Sequence, residues 1–348
     1  MAATSSSKRK PVEFGFMMGV SPREPIGRFG QLAQLAESVG FDMAWMADSQ
    51  LYTKDPWVAL TLAAGNTKTI KLGPGVTNPA TRHITVSVCT SSALAEVSGG
   101  RCVLGFGSGD AAVFPLGLQV KVDDVRQAVE RFRTLSKGGA VDLDGRRIKV
   151  ATAGAGVPLF LAASQPRMLR LAGALADGVI VMGAAQPELT RWQLEHVAAG
   201  AAEAGRSLDD VFVDLWFTIS MSNDKKKALD DVRPWAASQA RWFAKWKALP
   251  TSLQPFAEEF RHAAEAYDFA RHLSRSGEPE PVSDAFTDWI GVSGTAEECA
   301  AKIRPLLELK VDRLTFALLP GGREARLRQY GAELIPLLRS PATAGARA

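Results

Sequence analysis

The sequence predicts an α/β protein built as a closed (β/α)8 TIM barrel, and three observations predict it. Short apolar runs alternate with segments of helical period along almost all of the 348 residues. The runs number eight, at residues 12–18, 43–46, 70–73, 103–107, 159–162, 179–182, 211–220 and 314–319. Two of them end in glycine-rich loops joined by one helical pattern: Leu-Gly-Pro-Gly-Val-Thr-Asn-Pro from Leu72, and Val-Leu-Gly-Phe-Gly-Ser-Gly-Asp from Val103. Neighbouring parallel strands that deliver their tips to one site leave such a pattern. A barrel places its active site at those C-terminal strand ends.

The helical segments fall at 26–39, 56–66, 84–97, 122–135, 166–174, 187–204, 224–273 and 295–307. Ile26, Phe29, Leu32, Ala33, Leu35 and Ala36 trace the apolar stripe of the first, which must face a core. Gly40 then stands where a left-handed cap ends a helix. Thr295 and Glu298 form a capping-box pattern at the start of the last. Within 137–152, the stretch Val-Asp-Leu-Asp-Gly-Arg-Arg-Ile-Lys-Val reads as a β-hairpin turning on Asp-Gly.

After the seventh strand, residues 225–289 are too long for a connector. They carry Trp235, Trp242, Phe243, Trp246, Phe256, Phe260, Tyr267, Phe269, Phe286 and Trp289. This is read as a helical insertion over about 225–290 that caps the barrel mouth. A helical pair on the barrel flank, or a subunit interface, is the alternative. Residues 1–348 are taken as one domain with a frayed polar tail at 5–10.

Composition narrows the function. A net charge of +4 is spread among 37 acidic residues without a basic stripe, so no nucleic-acid partner is expected. Cys89, Cys102 and Cys299 are odd in number and lack metal-ligand spacing, which fits a reduced, cytoplasmic setting. An apolar run of about 18 residues and a secretory h-region are both missing, so no membrane association is expected.

The candidate site residues cluster at strand ends. Asp48, just past the second strand, is placed to point into the mouth, or to cap a turn. Gly75-Val76-Thr77-Asn78-Pro79 reads as an irregular bulge after the third strand. His83 follows it at a helix start and offers either a substrate contact or a local cap. Gly107, Ser108 and Asp110 close the fourth strand, in a loop with more glycine than a turn needs. Ala163-Ser164-Gln165-Pro166 ends the fifth strand at a helix N-terminus suited to phosphate. Pro320-Gly321-Gly322-Arg323 is a second anion candidate. His196, His262 and His272 lie on helical segments and are read as structural. Neither a zinc pair nor a Ser/His/Asp set can be assembled.

Three segments carry a resemblance: Gly-Pro-Gly-Val-Thr-Asn-Pro-x-Thr-Arg-His, Leu-x-Glu-x-Ser-Gly-Gly-Arg and Gly-x-Gly-Ser-Gly-Asp. Together they look like the bacterial luciferase-like oxidoreductases, in the branch that includes methylenetetrahydromethanopterin reductase. Gly-Phe-Asp-Met-Ala-Trp-Met-Ala-Asp-Ser, and the unit running from Ala162 to Val179, are similar to the same family. The resemblance implies a barrel holding FMN or the deazaflavin coenzyme F420, with a non-proline cis peptide at Gly75–Val76 supporting the ring. Carried over by position, it implies that Asp48, Thr77, Asn78 and Asp110 line that ring. Ser164 would then meet its phosphate, with Gly183 and Ala184 nearby. Family members often have Asp-His where this chain has Asp48-Ser49, which puts a histidine-assisted proton transfer there in doubt.

A borrowed redox centre suits a chain without its own nucleophile or metal. The leading expectation is a monooxygenase that takes reduced FMN from a separate flavin reductase and oxygenates a small apolar or aromatic substrate. The alternative is an F420-dependent reductase or dehydrogenase that moves hydride without oxygen. A non-catalytic flavin-binding barrel is a minor third. A homodimer is expected by resemblance.

Overall fold

The computed structural model describes residues 10–154, 156–182, 184–267 and 282–340. Numbered in chain order, eight parallel strands form its centre: β1 (Glu13–Met18), β2 (Met43–Met46), β3 (Lys71–Pro74), β4 (Leu104–Phe106), β7 (Leu159–Ala163), β8 (Gly178–Met182), β9 (Phe212–Met221) and β11 (Arg313–Ala317). They run in the order β3-β2-β1-β11-β9-β8-β7-β4. Bridges Leu72–Cys102 and Thr77–Phe106 close the ring between β3 and β4. There Thr77 N–H donates to Gly105 O at 3.0 Å, and Gly107 N–H to Thr77 O at 2.9 Å. Every predicted strand is present.

The period of two lets each strand serve two cores. On β1, Phe14, Phe16 and Met18 pack outward against the helices, while Met17 joins the inner cluster. On β2, Ala44 and Met46 face out, and Met43 and Trp45 face in.

Helices α1 (Arg28–Ser38), α2 (Pro56–Asn66), α3 (Ile84–Val97), α4 (Val122–Ser136), α5 (Pro166–Leu175) and α6 (Pro187–Glu203) alternate with the strands. The stripe Phe29, Leu32, Ala33 and Ala36 of α1 is buried, and Gly40 follows it at φ +96°. The hairpin β5 (Ala140–Leu143) and β6 (Arg146–Lys149) is antiparallel. Asp144 and Gly145 turn it at φ 51° and 75°, the positive pair that a type I′ turn needs.

The insertion after β9 departs from a single long helix. It comprises α7 (Lys225–Phe243), α8 (Ala257–Ala266) and α9 (Asp284–Ile290). The predicted run 224–273 breaks after Phe243, where α7 ends with Ala244 as its C-cap, and the chain resumes in a 3-10 turn over Thr251–Phe256 that contains Pro255. Phe269 and His272 lie outside the described residues. A further strand, β10 (Val292–Gly294), pairs with the tip of β9 at Ile219–Met221. Three residues are too short to show alternation, so the sequence did not reveal it. Helix α10 (Ala296–Leu307) opens on the predicted box, with Thr295 N–H donating to Glu298 Oε2 at 2.8 Å. Helices α11 (Arg323–Gln329) and α12 (Ile335–Arg339) finish the ring.

Candidate active site

Met43, Trp45, Val103, Phe160, Ile180 and Trp216 fill the barrel axis. The partly exposed members of this cluster near the C-terminal strand ends are Met17 on β1, Val76 after β3, Ala162 on β7 and Met182 on β8. Side chains from three strands and the loop after β3 thus make an apolar cup at the open end. Sequence reasoning missed Met17, Ala162 and Met182. The signal was the inward register at each strand's last turn.

The Gly75–Val76 peptide is cis, and it delivers Val76 to the cup. A Cβ at Gly107 would lie 3.0 Å from Val76 Cγ2, and one at Gly105 would lie 2.2 Å from Pro74 O. Gly109 sits at φ +72° with its Cβ position 2.9 Å from the Asn78 side chain. The repeated glycines of β4 therefore answer to the loop beside them. Ser108 is exposed at the tip.

Thr77 and Asn78 are fully buried. Asn78 Oδ1 accepts from Ala80 and Thr81 N–H, both at 3.0 Å, in a side-chain-closed turn. The side chain expected to line a ring is committed to its own loop. Thr77 Oγ1 is buried and has no hydrogen-bond partner among the described residues, which in a native site calls for a ligand or water. An apolar cup bordered by the Gly75–Val76 backbone fits a flat redox ring, while Thr77, bridged to the outward-packed Phe106, lies beneath the rim.

Asp48 is 3% exposed, and both of its oxygens accept from Arg82, at 2.7 and 3.0 Å from Nε and Nη2. Arg82 also donates to Asp55 at 2.7 Å, the residue whose carboxylate caps α2. Burial alone would lower the Arg82 guanidinium's pKa, but its two carboxylates outweigh that and raise it. Asp48, expected as a catalytic group, is half of a clamp from the tip of β2 to the loop after the cis bond. His83 is exposed; its Nδ1 lies 2.7 Å from Thr85 Oγ1 and caps α3. The structure thus shows the local cap that the sequence offered for His83.

Asp110 ends the β4 loop, where Arg241 and Trp242 of α7 bind it, the Trp242 N–H at 2.9 Å. Lys245 lies 3.7 Å from the Phe114 ring centroid in the same loop. The far part of α7 is tied to the barrel at Ser220 on β9, which donates to Asp231 at 2.8 Å. From Asp231 to Trp242 the helix rises about 16 Å, comparable to a small barrel's mouth. Most of the insertion's aromatics face the other way. Phe243, Trp246, Phe260 and Phe286 form a core of their own, with Phe256 and Trp289 against it.

On the β7 side, Gln165 rather than Ser164 is the N-cap of α5, with no side-chain cap bond and Pro166 next. The first-turn amides are thus left without a side-chain cap, beside the Ser164 hydroxyl, an arrangement that favours an anion. Ala163 packs into the outer core and Ala184 into the core of the insertion. Those two side chains point away from the mouth, because strand alternation and the insertion claim them. Gly183 lies outside the described residues. After β11, Arg323 donates to Glu24 at 2.9 Å and to Gly19 O at 3.3 Å, so the second anion candidate braces the loop after β1.

These features define a (β/α)8-barrel protein whose mouth is built largely from backbone and apolar side chains. The chain belongs to the luciferase-like monooxygenase family, which it matches over residues 11–313. It is 34% identical to 5,10-methylenetetrahydromethanopterin reductase of Methanopyrus kandleri, covering 93% of this chain and 98% of that one. It is 29% identical to F420-dependent glucose-6-phosphate dehydrogenase of Nakamurella multipartita, over 95% and 97% of the two chains. Among solved structures, the coenzyme F420-dependent tetrahydromethanopterin reductase of Methanopyrus kandleri superposes with a TM-score of 0.77 at 26% identity, over 94% and 99%. A monooxygenase of Streptomyces bottropensis shares the fold, with a TM-score of 0.64 at 17% identity over 93% and 99%.

Among the described residues no helix is long and apolar enough to cross a membrane.

Proposed function

We propose that this chain is a coenzyme F420-dependent oxidoreductase that moves hydride to or from a small organic substrate without oxygen. The observation that supports it most is the set of near full-length relatives named for that coenzyme or for methylenetetrahydromethanopterin reduction, at 29–34% identity. The oxygenases share only the fold, at 13–17% identity. The reduced-FMN monooxygenase with a partner reductase is therefore the second reading.

A bound deazaflavin supplies a carbon that gives or takes hydride. This chain's residues would do the rest. Met17, Val76, Ala162 and Met182 would seat the ring, and the Gly75–Val76 backbone would hold its edge. The first turn of α5, with Ser164 and the exposed Arg167, would take the phosphate. Asp48 would act through Arg82, fixing the loop, because both of its oxygens are engaged. α7 would limit water entry.

Anaerobic titration with coenzyme F420 and with FMN, followed by oxygen-uptake measurement, tests this. Tight binding of F420 with no oxygen uptake is expected. Preference for FMN with rapid oxygen uptake would sink it.

The same reading extends to assembly as a homodimer. The exposed Val58 and Leu62 on α2 and Val86 and Val97 on α3 make an apolar face on adjacent helices, which a second copy would cover.

A further inference from the structure

We infer that Trp45 is a positioning residue for the Gly75–Val76 peptide, and that the buried carboxylate of Asp214 acts on the barrel mouth through it. The inference rests on the reading of that mouth as the cofactor site.

Trp45 is fully buried on the inward face of β2. Its Nε1–H donates to Asp214 Oδ2 at 3.0 Å. Three glycines make room for its ring and stem. A Cβ at Gly73 would fall 2.9 Å from Trp45 Cζ3, one at Gly105 would fall 3.0 Å from the same atom, and one at Gly75 would fall 2.8 Å from Trp45 Cβ. Gly75 also meets Trp216, its Cβ position 2.8 Å from Cη2, and the two indoles lie 5.7 Å apart at 50°. The peptide that borders the cup therefore rests on two indoles. Any tilt of Trp45 must be taken up at Gly75, because close-packed interiors transmit displacement.

What sets the tilt is the indole's acceptor. Asp214 is held by Thr315 Oγ1 at 2.6 Å and Arg313 Nη1 at 3.1 Å, and Asp214 and Arg313 are both 0% exposed. Arg313 Nε reaches Glu13 at 3.0 Å, and Glu13 takes Lys71 at 3.0 Å. A continuous line of bonds thus runs from the closed end of the barrel through Asp214 and Trp45 to the peptide at its mouth. Hydrogen bonds to a charged acceptor fix geometry more firmly than packing alone.

Two variants separate this role from simple filling of the core. Trp45→Phe keeps an aromatic ring and loses the N–H, while Asp214→Asn keeps the shape and loses the charge. Each is examined for the Val76 backbone amide resonance in the ligand-free protein, and for affinity by titration with coenzyme F420 and with FMN. In both variants the Val76 resonance should move. Affinity for whichever cofactor the wild type binds should fall about tenfold. The double variant should be no weaker than Trp45→Phe alone, because Asp214 works through the indole. Should Asp214→Asn fail to fold, the resonance and affinity of Trp45→Phe carry the test. Folded variants with an unmoved Val76 amide and wild-type affinity, even if less stable, overturn the inference. A wild type that binds neither cofactor defeats the reading of the mouth, while the Val76 shift still decides the positioning.

Discussion

Trp242 on the insertion donates its indole N–H to the carboxylate of Asp110 on the β4 loop, at 2.9 Å and 132 residues apart in sequence. Arg241 joins the same carboxylate with its side chain only 4% exposed, against 27% for Asp110. One loop carboxylate therefore anchors two neighbouring side chains of α7. Asp110→Ala should cost about 1–3 kcal/mol, below the value for a fully buried pair because Asp110 is partly solvated. Urea unfolding measures it, and a cycle with Trp242→Phe should show coupling between the two. Equal midpoints for wild type and Asp110→Ala would show that the anchor contributes nothing.

Much of this was legible in advance, and the failures have a common cause. Local signals worked: the eight runs, the stripe and cap of α1, the Asp-Gly hairpin and the Thr295–Glu298 box; the seat of the Gly75–Val76 cis bond came from the family resemblance. What the sequence did not show depended on partners distant along the chain. Nothing near Asp48 announces Arg82, and nothing near Asp110 announces Arg241. The aromatic run of the insertion was read as cover for a substrate, but Phe243, Phe260 and Phe286 mainly bury one another. Sequence shows that apolar surface must be buried without showing against what. The register that places Met17 and Met182 in the cup was readable, but strand ends are hard to fix to a single residue.

Arg101, in the Ser-Gly-Gly-Arg segment, serves the fold rather than a ligand. Its guanidinium donates to Ala64 O, Thr67 O, Thr67 Oγ1, Ile70 O and Ser98 O at 2.7–3.1 Å. Those acceptors include carbonyls at the end of α2, which the helix cannot satisfy itself. Arg101→Ala should lose about 2–4 kcal/mol, and Arg101→Lys should recover little, since a single ammonium cannot reproduce the fork. Denaturant midpoints decide it. A lysine variant as stable as wild type would contradict the role given to the planar group.

Glu37 gives the fold an acid-sensitive joint. Its carboxylate accepts from the N–H groups of Lys68, Thr69 and Ile70 at 2.9, 2.5 and 2.8 Å. Burial alone would raise its pKa, but these amides outweigh that and hold it below the ordinary 4.5. A lowered folded-state value stabilises above the unfolded one, and that stability drains away as pH falls through the folded value. Glu37→Gln should therefore be less stable than wild type at neutral pH, with the gap narrowing well below pH 4.5. A gap of constant size across that range would show that the charge is irrelevant.

The outer faces of α2 and α3 bear on assembly. Val58 and Leu62 are 51% and 42% exposed, one helical turn apart, and Val86 and Val97 are 45% and 57% exposed, three turns apart. Such spacings put each pair on one side of its helix. The α2 sequence, Pro-Trp-Val-Ala-Leu-Thr-Leu-Ala-Ala-Gly-Asn, contains no charge at all, which is unusual for a face left in water. An isologous contact would bury both stripes at once. Leu62→Glu combined with Val86→Glu should convert a dimer to a monomer in light scattering while leaving the melting curve of the single chain nearly unchanged, since neither side chain supports the barrel core. A wild-type mass equal to one chain, or a double variant that remains dimeric, would place the contact elsewhere or remove it.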